Sequence, residues 1–460
     1  MERPRRGTQL ELEIDNLAFG GQGVSRLDGF VVFVAGAVPG DRVRAVVTKV
    51  KRRYAEARLE SILRPSADRI DAGCRHYGSC GGCRWQSLAY PTQLKYKERQ
   101  VRESLERLGG LTDFEVRPVI GMEEPWRYRN KVEFSIGPGP EGPLVGFHPP
   151  GRWDQVLPVT ECHLVSHAAE AVRTRVEQWI RKSGRPGWDP RSQTGYFRHL
   201  TVREGRRTNE LLLSLATAAG ELPPGLPEAL LAEFPQIVGI LHAHNDGQAE
   251  VATALPHRLL HGRSFLFEEL AGLRFKVSID AFFQTNTEMA EKLYARAGEE
   301  AGLTGDEVVW DVYSGIGSIA LYLARRSRAV LGIEVVAPAV EDARDNARLN
   351  GIGNATFFEG NARVVLKEVL EGRASLPPGL ENPDVVVLDP PRGGLAKKVI
   401  MRAAAARPAR IVYISCNPAT MADNLKDFAE HGYRLVRVTP VDMFPHTPHI
   451  EAVGLLEPTS

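Results

Sequence analysis

Apolar and polar residues alternate in four short stretches at the start of the chain: Leu10 to Ile14, Gly29 to Val34, Arg42 to Lys49 and Tyr54 to Ile62. Glycines separate them, with Gly20-Gly21 and Pro39-Gly40 as turn pairs. Short, regularly spaced strands with such turns predict a small antiparallel barrel over residues 1–64. Leu94, Val101, Leu105 and Leu108 then share one helical face that Gly109-Gly110 ends, so a helix is expected over 93–109, placed to pack on a later domain. Residues 126–268 mix strand and helix patterns with proline-rich joints, and 65–268 is read as a central α+β domain.

From about residue 273 the rhythm becomes regular. Val308 to Ser314, Ala329 to Glu334, Thr356 to Glu359, Asp384 to Asp389, Arg410 to Ser415, Leu435 to Val441 and Ala452 to Leu456 read as strands. Ile319 to Arg326, Ala339 to Leu349, Ala396 to Ala406 and Met421 to Glu430 read as helices. Strands alternating with helices predict an open, mostly parallel Rossmann-like α/β sheet over 269–460.

Composition changes little in this picture. At 460 residues, 43% hydrophobic and 25% charged, the chain suits about three domains at roughly 150 residues each and excludes collagen-like, coiled-coil and largely disordered classes. No run of 18 apolar residues exists, and the basic start leads into an alternating strand, so a cytoplasmic protein is expected. A net charge of +1 confines any nucleic-acid binding to local patches. One such patch lies between Asp41 and Arg58, where seven basic residues (Arg42, Arg44, Lys49, Lys51, Arg52, Arg53, Arg58) meet two acidic ones. A solvated strand face would explain this run; RNA contact is the preferred reading for a small basic barrel.

Candidate chemistry gathers at strand ends. In Trp310-Asp-Val-Tyr-Ser-Gly-Ile-Gly317 an acid ends a strand and two glycines turn into a helix, and nineteen residues after Gly315 the next strand ends in Glu334. From that position a carboxylate accepts ribose hydroxyls in doubly wound nucleotide sites. The third fingerprint glycine is replaced by Ala320, which favours a nucleoside without phosphates, such as S-adenosylmethionine. Asp389-Pro-Pro-Arg392 breaks the next parallel strand at the same edge, either as a ligand-facing acid or as a plain exit turn. Cys416 ends the strand after that and is followed by Asn417-Pro418, either a small buried residue or a nucleophile beside a helix N-terminus. Glu451 opens the last strand, as a strand-end carboxylate or a base.

The other four cysteines, Cys74, Cys80, Cys83 and Cys162, suit a metal or cluster site in a reducing compartment. Their spacing alone leaves Zn²⁺ and an iron-sulfur cluster open. It does not match the radical adenosylmethionine pattern, so a structural role that orders the RNA-binding insert is expected. Arg127, Arg129 and Lys131 alternate on one predicted strand face, where RNA backbone contact is preferred over a solvated face.

Together with Trp126-Arg-Tyr-Arg-Asn-Lys-Val-Glu-Phe134, Phe282-Phe-Gln-Thr-Asn286 and His449-Ile-Glu451, these motifs form an ordered set of seven across nearly the whole chain. The chain resembles the bacterial RNA uridine C5-methyltransferases of the cluster-containing kind, which begin with an OB-like TRAM barrel. The resemblance implies Cys416 as nucleophile, Glu451 as base, and Cys74, Cys80, Cys83 and Cys162 around a 4Fe-4S cluster. It places Gln284, Tyr313, Gly315, Gly317, Ser318, Glu334, Asn361 and Asp389 around S-adenosyl-L-methionine and the target base. Ser318 is a departure, since relatives often carry Asn there. The implied partner is structured RNA, ribosomal 23S RNA ahead of transfer RNA, with neither DNA nor a membrane involved and the chain acting as a monomer. Two competing readings are an amino-group methyltransferase, for which Arg392 replaces the needed aromatic residue, and a non-catalytic RNA-binding factor.

Overall fold

The computed structural model describes residues 3–249, 251–252 and 255–459. In the N-terminal part, alternation buries Leu12, Val32, Val34, Val43, Ala45, Val47, Ala55 and Ala57 on the inner face of a six-stranded sheet. Its strands are Gln9–Glu13, Asn16–Leu17, Gly23–Leu27, Phe30–Ala35, Arg42–Val50 and Tyr54–Arg64, ordered first, fifth, sixth, fourth, third, second. Gln9–Glu13 also touches Gly23–Leu27, so the sheet curls toward closure. One pair departs from the antiparallel expectation, since Phe30–Ala35 runs parallel to Tyr54–Arg64.

The central part is a seven-stranded sheet, Leu157–Pro158, Leu144–Phe147, Lys131–Gly137, Phe197–Gly205, Glu210–Thr217, Ile237–His244 and His257–Gly262 in spatial order. Helix His167–Lys182, capped by Ser166 Oγ accepting from Ala169 N at 3.0 Å, packs its apolar stripe on this sheet. A hairpin, Phe265–Leu270 with Leu273–Ser278, leads into the C-terminal part.

There, eight strands form one sheet in the order Ala355–Glu359, Ala329–Glu334, Val308–Val312, Val385–Leu388, Arg410–Ser415, Glu451–Pro458, Tyr433–Val441, Glu115–Val116. The first five are parallel, and Glu451–Pro458 is antiparallel to both its neighbours. All five residues of Val308–Val312 are buried, as a strand with helices on both faces requires. Strand order reverses between Val308–Val312 and Val385–Leu388, which puts the ligand crevice of an open α/β sheet at the carboxyl ends of these strands. Glu115–Val116 reaches this sheet from far upstream, pairing with Tyr433–Val441.

The expected helix over 93–109 runs as Tyr90–Glu103 and then widens into a π-turn, Ser104–Leu108. It does pack on the C-terminal domain, against Tyr433–Val441 and helix Pro418–Glu430. Its buried face is wider than the apolar one expected: Val101 and Leu105 are inside as expected, but so are Gln93, Lys97 and Gln100, whereas Leu108 is 51% exposed. The polar side chains are buried because partners await them; Gln100 Nε2 donates to the Leu17 and Ala18 carbonyls at 3.3 and 3.2 Å.

Candidate active site

The turn after Val308–Val312 is shaped for close approach. Tyr313, Gly315 and Gly317 have φ of +76°, +54° and +83°, and a Cβ at position 317 would stand 2.9 Å from the Phe357 ring. A tyrosine in this left-handed region is strained, and such strain gathers at ligand sites. Glu334 faces the turn: its carboxylate accepts from Gly315 N at 3.0 Å and from Val335 N and Val336 N at 2.7 and 2.9 Å. Held by three amides, it stands fixed at the strand end. Asp311 lies beneath, fully buried, its carboxyl pushed up to about 8 by burial and then by Asp389. Burial pushes Asp389 up to about 7.

Ser318 opens helix Ser318–Ala324, and its Oγ lies 2.8 Å from the hydroxyl of buried Tyr294. Tyr294 in turn feels the charges of Asp389, Asp311 and Glu451, so it lies under the same crevice. Gln284 is buried, and its carbonyl accepts from Asn130 Nδ2 at 2.9 Å while Asn130 N donates to the Thr285 carbonyl. Asn361 is exposed and its Oδ1 caps helix Ala362–Leu370 by accepting from Arg363 N at 3.0 Å.

Strand register brings thiol and acid together. Ser415 pairs with Ala452, so the next residues outward, Cys416 and Glu451, sit side by side where the two antiparallel strands meet. Val441 pairs with Glu451 on its other side. Leu388 pairs with Tyr413, which puts Asp389 on the same edge. Cys416 directly precedes Asn417, which caps helix Pro418–Glu430 by accepting from Ala419 N at 3.1 Å. The helix does not make the thiol acidic. Burial first, then the nearby charges of Glu451 and Asp389, push Cys416 up to about 11, with Arg392 pulling the other way. Glu451 is driven well above the usual carboxylate range by burial and Asp389, again eased by Arg392. The Cys416 thiol is therefore protonated at neutral pH, and the Glu451 carboxyl holds its proton more tightly than an ordinary carboxyl group. Sequence reading did not pick out Tyr294, or Arg392 as a site cation, although Arg392 stands inside the Asp-Pro-Pro-Arg motif and was open to that reading.

Cys74, Cys80, Cys83 and Cys162 are free, half-buried thiols within electrostatic reach of one another: Cys80 senses Cys74, and Cys83 senses Cys162 and Cys80. Burial pushes Cys83 up to about 12 and Cys162 up to about 11. The backbone folds tightly around them, with Gly82 N donating to Cys80 Sγ at 3.4 Å and Cys74 N to Gln86 Oε1 at 3.2 Å. Among the described residues, however, no three His, Cys, Asp or Glu side chains are arranged to hold a metal ion. The expected four-thiol metal site is thus a neighbourhood of thiols rather than a formed ion cage.

On the RNA side, part of the basic surplus is neutralised within the sheet. Arg42 and Arg44 pair with Glu11, each at 3.1 Å, and Lys49 with Glu56 at 3.2 Å. Arg52 and Arg53 remain at the rim of a concavity of about 780 Å³ shared with Arg3, Arg5 and Phe30. Arg127, Arg129 and Lys131 do not form the expected open face. Arg127 donates to the Val165 carbonyl at 2.9 Å and Lys131 pairs with Glu133 at 2.7 Å. Arg129 lies near Cys83, Cys162 and His449. All three are half-buried, and each is engaged with neighbouring groups of the chain.

Residues 268–459 match the family described as tRNA (Uracil-5-)-methyltransferase, and residues 3–59 match the TRAM domain. A protein named as an uncharacterized RNA methyltransferase of Halalkalibacterium halodurans is 38% identical over 451 residues, covering 97% of this chain and 96% of its own length. One of the same description from Porphyromonas gingivalis is 40% identical over 470 residues, covering 97% and 99%. The crystal structure of Pyrococcus abyssi tRNA (uracil-54, C5)-methyltransferase in complex with S-adenosyl-L-homocysteine superimposes with a TM-score of 0.77 at 27% identity, over 97% of this chain and 100% of that one. The fold and crevice are thus those of an S-adenosylmethionine-dependent methyltransferase. The attached TRAM domain and the full-length relatives narrow this further: the chain belongs to the RNA (uracil-5-)-methyltransferase family. Among the described residues no helix is long and apolar enough to cross a membrane.

Proposed function

We propose that this methyltransferase forms 5-methyluridine in structured RNA, with 23S ribosomal RNA the preferred substrate, through a covalent adduct of Cys416. The observation that supports it best is the strand register that sets Cys416 beside Glu451 at the crevice edge. Uracil C5 is too poor a nucleophile to take a sulfonium methyl unaided. The Cys416 thiol gives its proton to solvent as Sγ bonds to C6, and the C5=C6 electron pair moves toward the C4 oxygen as an enolate. S-adenosylmethionine would supply the methyl group, which C5 takes up as the sulfonium S–CH3 bond breaks and S-adenosylhomocysteine leaves. A base then removes the C5 proton, the C5=C6 bond re-forms, and Sγ leaves.

Glu451 is that base. An acid raised by burial becomes, once ionised, a strong proton acceptor. Arg392, the opposing charge at both Cys416 and Glu451, favours the ionised forms when they are needed. Gln284 supplies donors to the uracil oxygens. Glu334 takes the ribose hydroxyls, the Tyr313, Gly315 and Gly317 turn receives the nucleoside, and Asp389, Ser318 and Asn361 complete that pocket. Because C6 is hidden in a stacked helix, the base must be unpaired or flipped at a cost of roughly a few kcal/mol.

The donor set of four thiols fits the 4Fe-4S cluster that the family resemblance implies. Cys74, Cys80 and Cys83 share one loop, Cys162 joins them from the segment before helix His167–Lys182, and Arg129 eases the ionisation of Cys83 and Cys162. Cys74, Cys80, Cys83 and Cys162 would hold it as a structural element. Transfer RNA is retained as a second substrate reading because the Pyrococcus abyssi neighbour carries that activity in its name. The test is a trapping gel with 5-fluorouridine-substituted 23S fragments and transfer RNA. Fluorine cannot leave C5 as a proton, so a stable protein–RNA band that needs S-adenosylmethionine and Cys416 is expected on one RNA only. No band despite RNA binding would reject the covalent route.

A further inference from the structure

The nine residues 442–450 join Tyr433–Val441 to Glu451–Pro458, and the pair Val441 and Glu451 closes their base. A connection of this kind usually lies in solvent. Here only Phe444 and His449 are partly exposed, and polar Asp442, His446 and Thr447 are buried. Met443 and Ile450 sit in the apolar cores, but apolar contact does not account for the buried polar residues beside and between them. Hydrogen bonds from distant parts of the chain do.

Asp442 Oδ1 accepts from Lys97 Nζ at 2.5 Å, with both side chains fully buried, and Asp442 Oδ2 accepts from Tyr90 Oη at 3.0 Å. Lys97 Nζ donates a second bond to the Phe444 carbonyl at 3.1 Å. One turn earlier on the same helix, Gln93 Oε1 accepts from His446 N at 3.0 Å and its Nε2 lies 3.2 Å from His446 Nδ1. His446 itself is held at φ +65°, stacked on Trp126 with ring centroids 3.7 Å apart, and its carbonyl accepts from Arg84 N and Trp85 N. Asn286 Nδ2 and Tyr128 Oη take the Met443 and Pro445 carbonyls, each at 3.1 Å.

A buried ion pair is a poor source of stability but a strong fixer of geometry, because each charge tolerates only the arrangement that compensates it. We propose that Lys97–Asp442 and Gln93–His446 form a buried strut that holds the 442–450 segment, and through it Glu451, at the C5 proton of the adduct. Lys97 and Gln93 are thus positioning residues for adduct breakdown, an inference that rests on the reading of Glu451 as base. The strut comes from helix Tyr90–Glu103, outside the residues matched by the methyltransferase domain. Adduct formation uses Cys416, which follows strand Arg410–Ser415, and none of the strut's hydrogen bonds reaches that strand. The two half-reactions should therefore separate.

The experiment compares wild type, Lys97→Met, the charge-free Lys97→Met/Asp442→Asn double variant and Glu451→Gln in the full-length protein. Folding is checked by circular dichroism, and the double variant carries the test if the single one does not fold. With the RNA that wild type methylates, kcat of the strut variants is expected to fall at least about tenfold with KM little changed, since small misplacements of a reacting group have such effects. Covalent protein–RNA adduct should build up on ordinary uridine RNA, while trapping by 5-fluorouridine RNA proceeds at the wild-type rate. Folded strut variants that turn over within about twofold of wild type overturn the strut, as does loss of rate without adduct build-up. Normal turnover by Glu451→Gln overturns the base reading instead, so the two failures are distinguishable.

Discussion

The C-terminal sheet and the segment from Cys74 to Asn130 both place reactive side chains, by opposite means. In the sheet, Glu334, Asp389, Cys416 and Glu451 stand at the ends of apolar strands whose register leaves little choice of position. The segment has little regular structure apart from its helix. Its positions come from polar side chains reaching backbone, such as Gln93 Nε2 on the Trp85 and Leu88 carbonyls at 3.0 and 2.8 Å. The first strategy is robust because hydrophobic burial is non-directional and spread over many residues. The second depends on a few directional bonds, each costly to leave unmade once buried. Chemistry sits on the robust scaffold, and its fine alignment is delegated to the directional one.

The comparison breaks first at the register pair. Glu451→Gln keeps the strand and is expected to lower kcat by about 10² to 10⁴-fold, the usual contribution of a positioned base; a single methylation followed by a stalled covalent complex is the gel signature, and full turnover removes Glu451 from the mechanism. Next comes the turn. Gly317→Ala forces a side chain into φ +83° and against Phe357, and should cost about 1–3 kcal/mol of stability together with S-adenosylmethionine binding, read by denaturant melts and calorimetry.

Asp311 sharpens the contrast through pH. Its folded-state value, about 8, stands above the ordinary 3.8, so the folded protein holds this proton more tightly than the unfolded chain does. The associated stability is complete below about pH 4 and is lost as pH rises through about 8. Asp311→Asn should therefore melt higher than wild type at pH 8 and converge with it near pH 4; a gap that widens toward low pH would contradict the assignment. The smallest effect belongs to the barrel. Neutralising Arg52 and Arg53 should weaken RNA binding and flatten its salt slope by roughly 1 to 2, and an unchanged slope would remove that rim from the RNA interface.

The same division explains what could be read from the chain. Strands Ala329–Glu334 and Arg410–Ser415 lie where their apolar runs end, because periodicity reports burial directly. Helix Thr287–Ala301 is missing from the expected elements, although Asn286 caps it, Gly302 closes it at φ +62°, and Met289, Leu293, Tyr294 and Ala297 mark an apolar face that was legible in the chain. Glu115–Val116 is too short to carry a pattern and pairs only because Tyr433–Val441 offers an edge. The basic residues 127, 129 and 131 alternate as expected of a strand, but Lys131 alone of the three lies in one. Alternation does not say whether the face meets solvent or another domain. Lys97 and Gln93 carry no sequence signal at all, since a helix with polar residues inside is legible only once their partners, more than 340 residues away, are in place.

The central claim is that Cys416 and Glu451 act in turn on one uridine, one making the adduct and the other ending it. Mass spectrometry of peptides from Glu451→Gln incubated with S-adenosylmethionine and ordinary uridine RNA tests it most directly. The account predicts a methylated uridine nucleotide attached to the peptide that contains Cys416 and to no other cysteine peptide. Free 5-methyluridine with no modified peptide, or an adduct on any other residue, would contradict it.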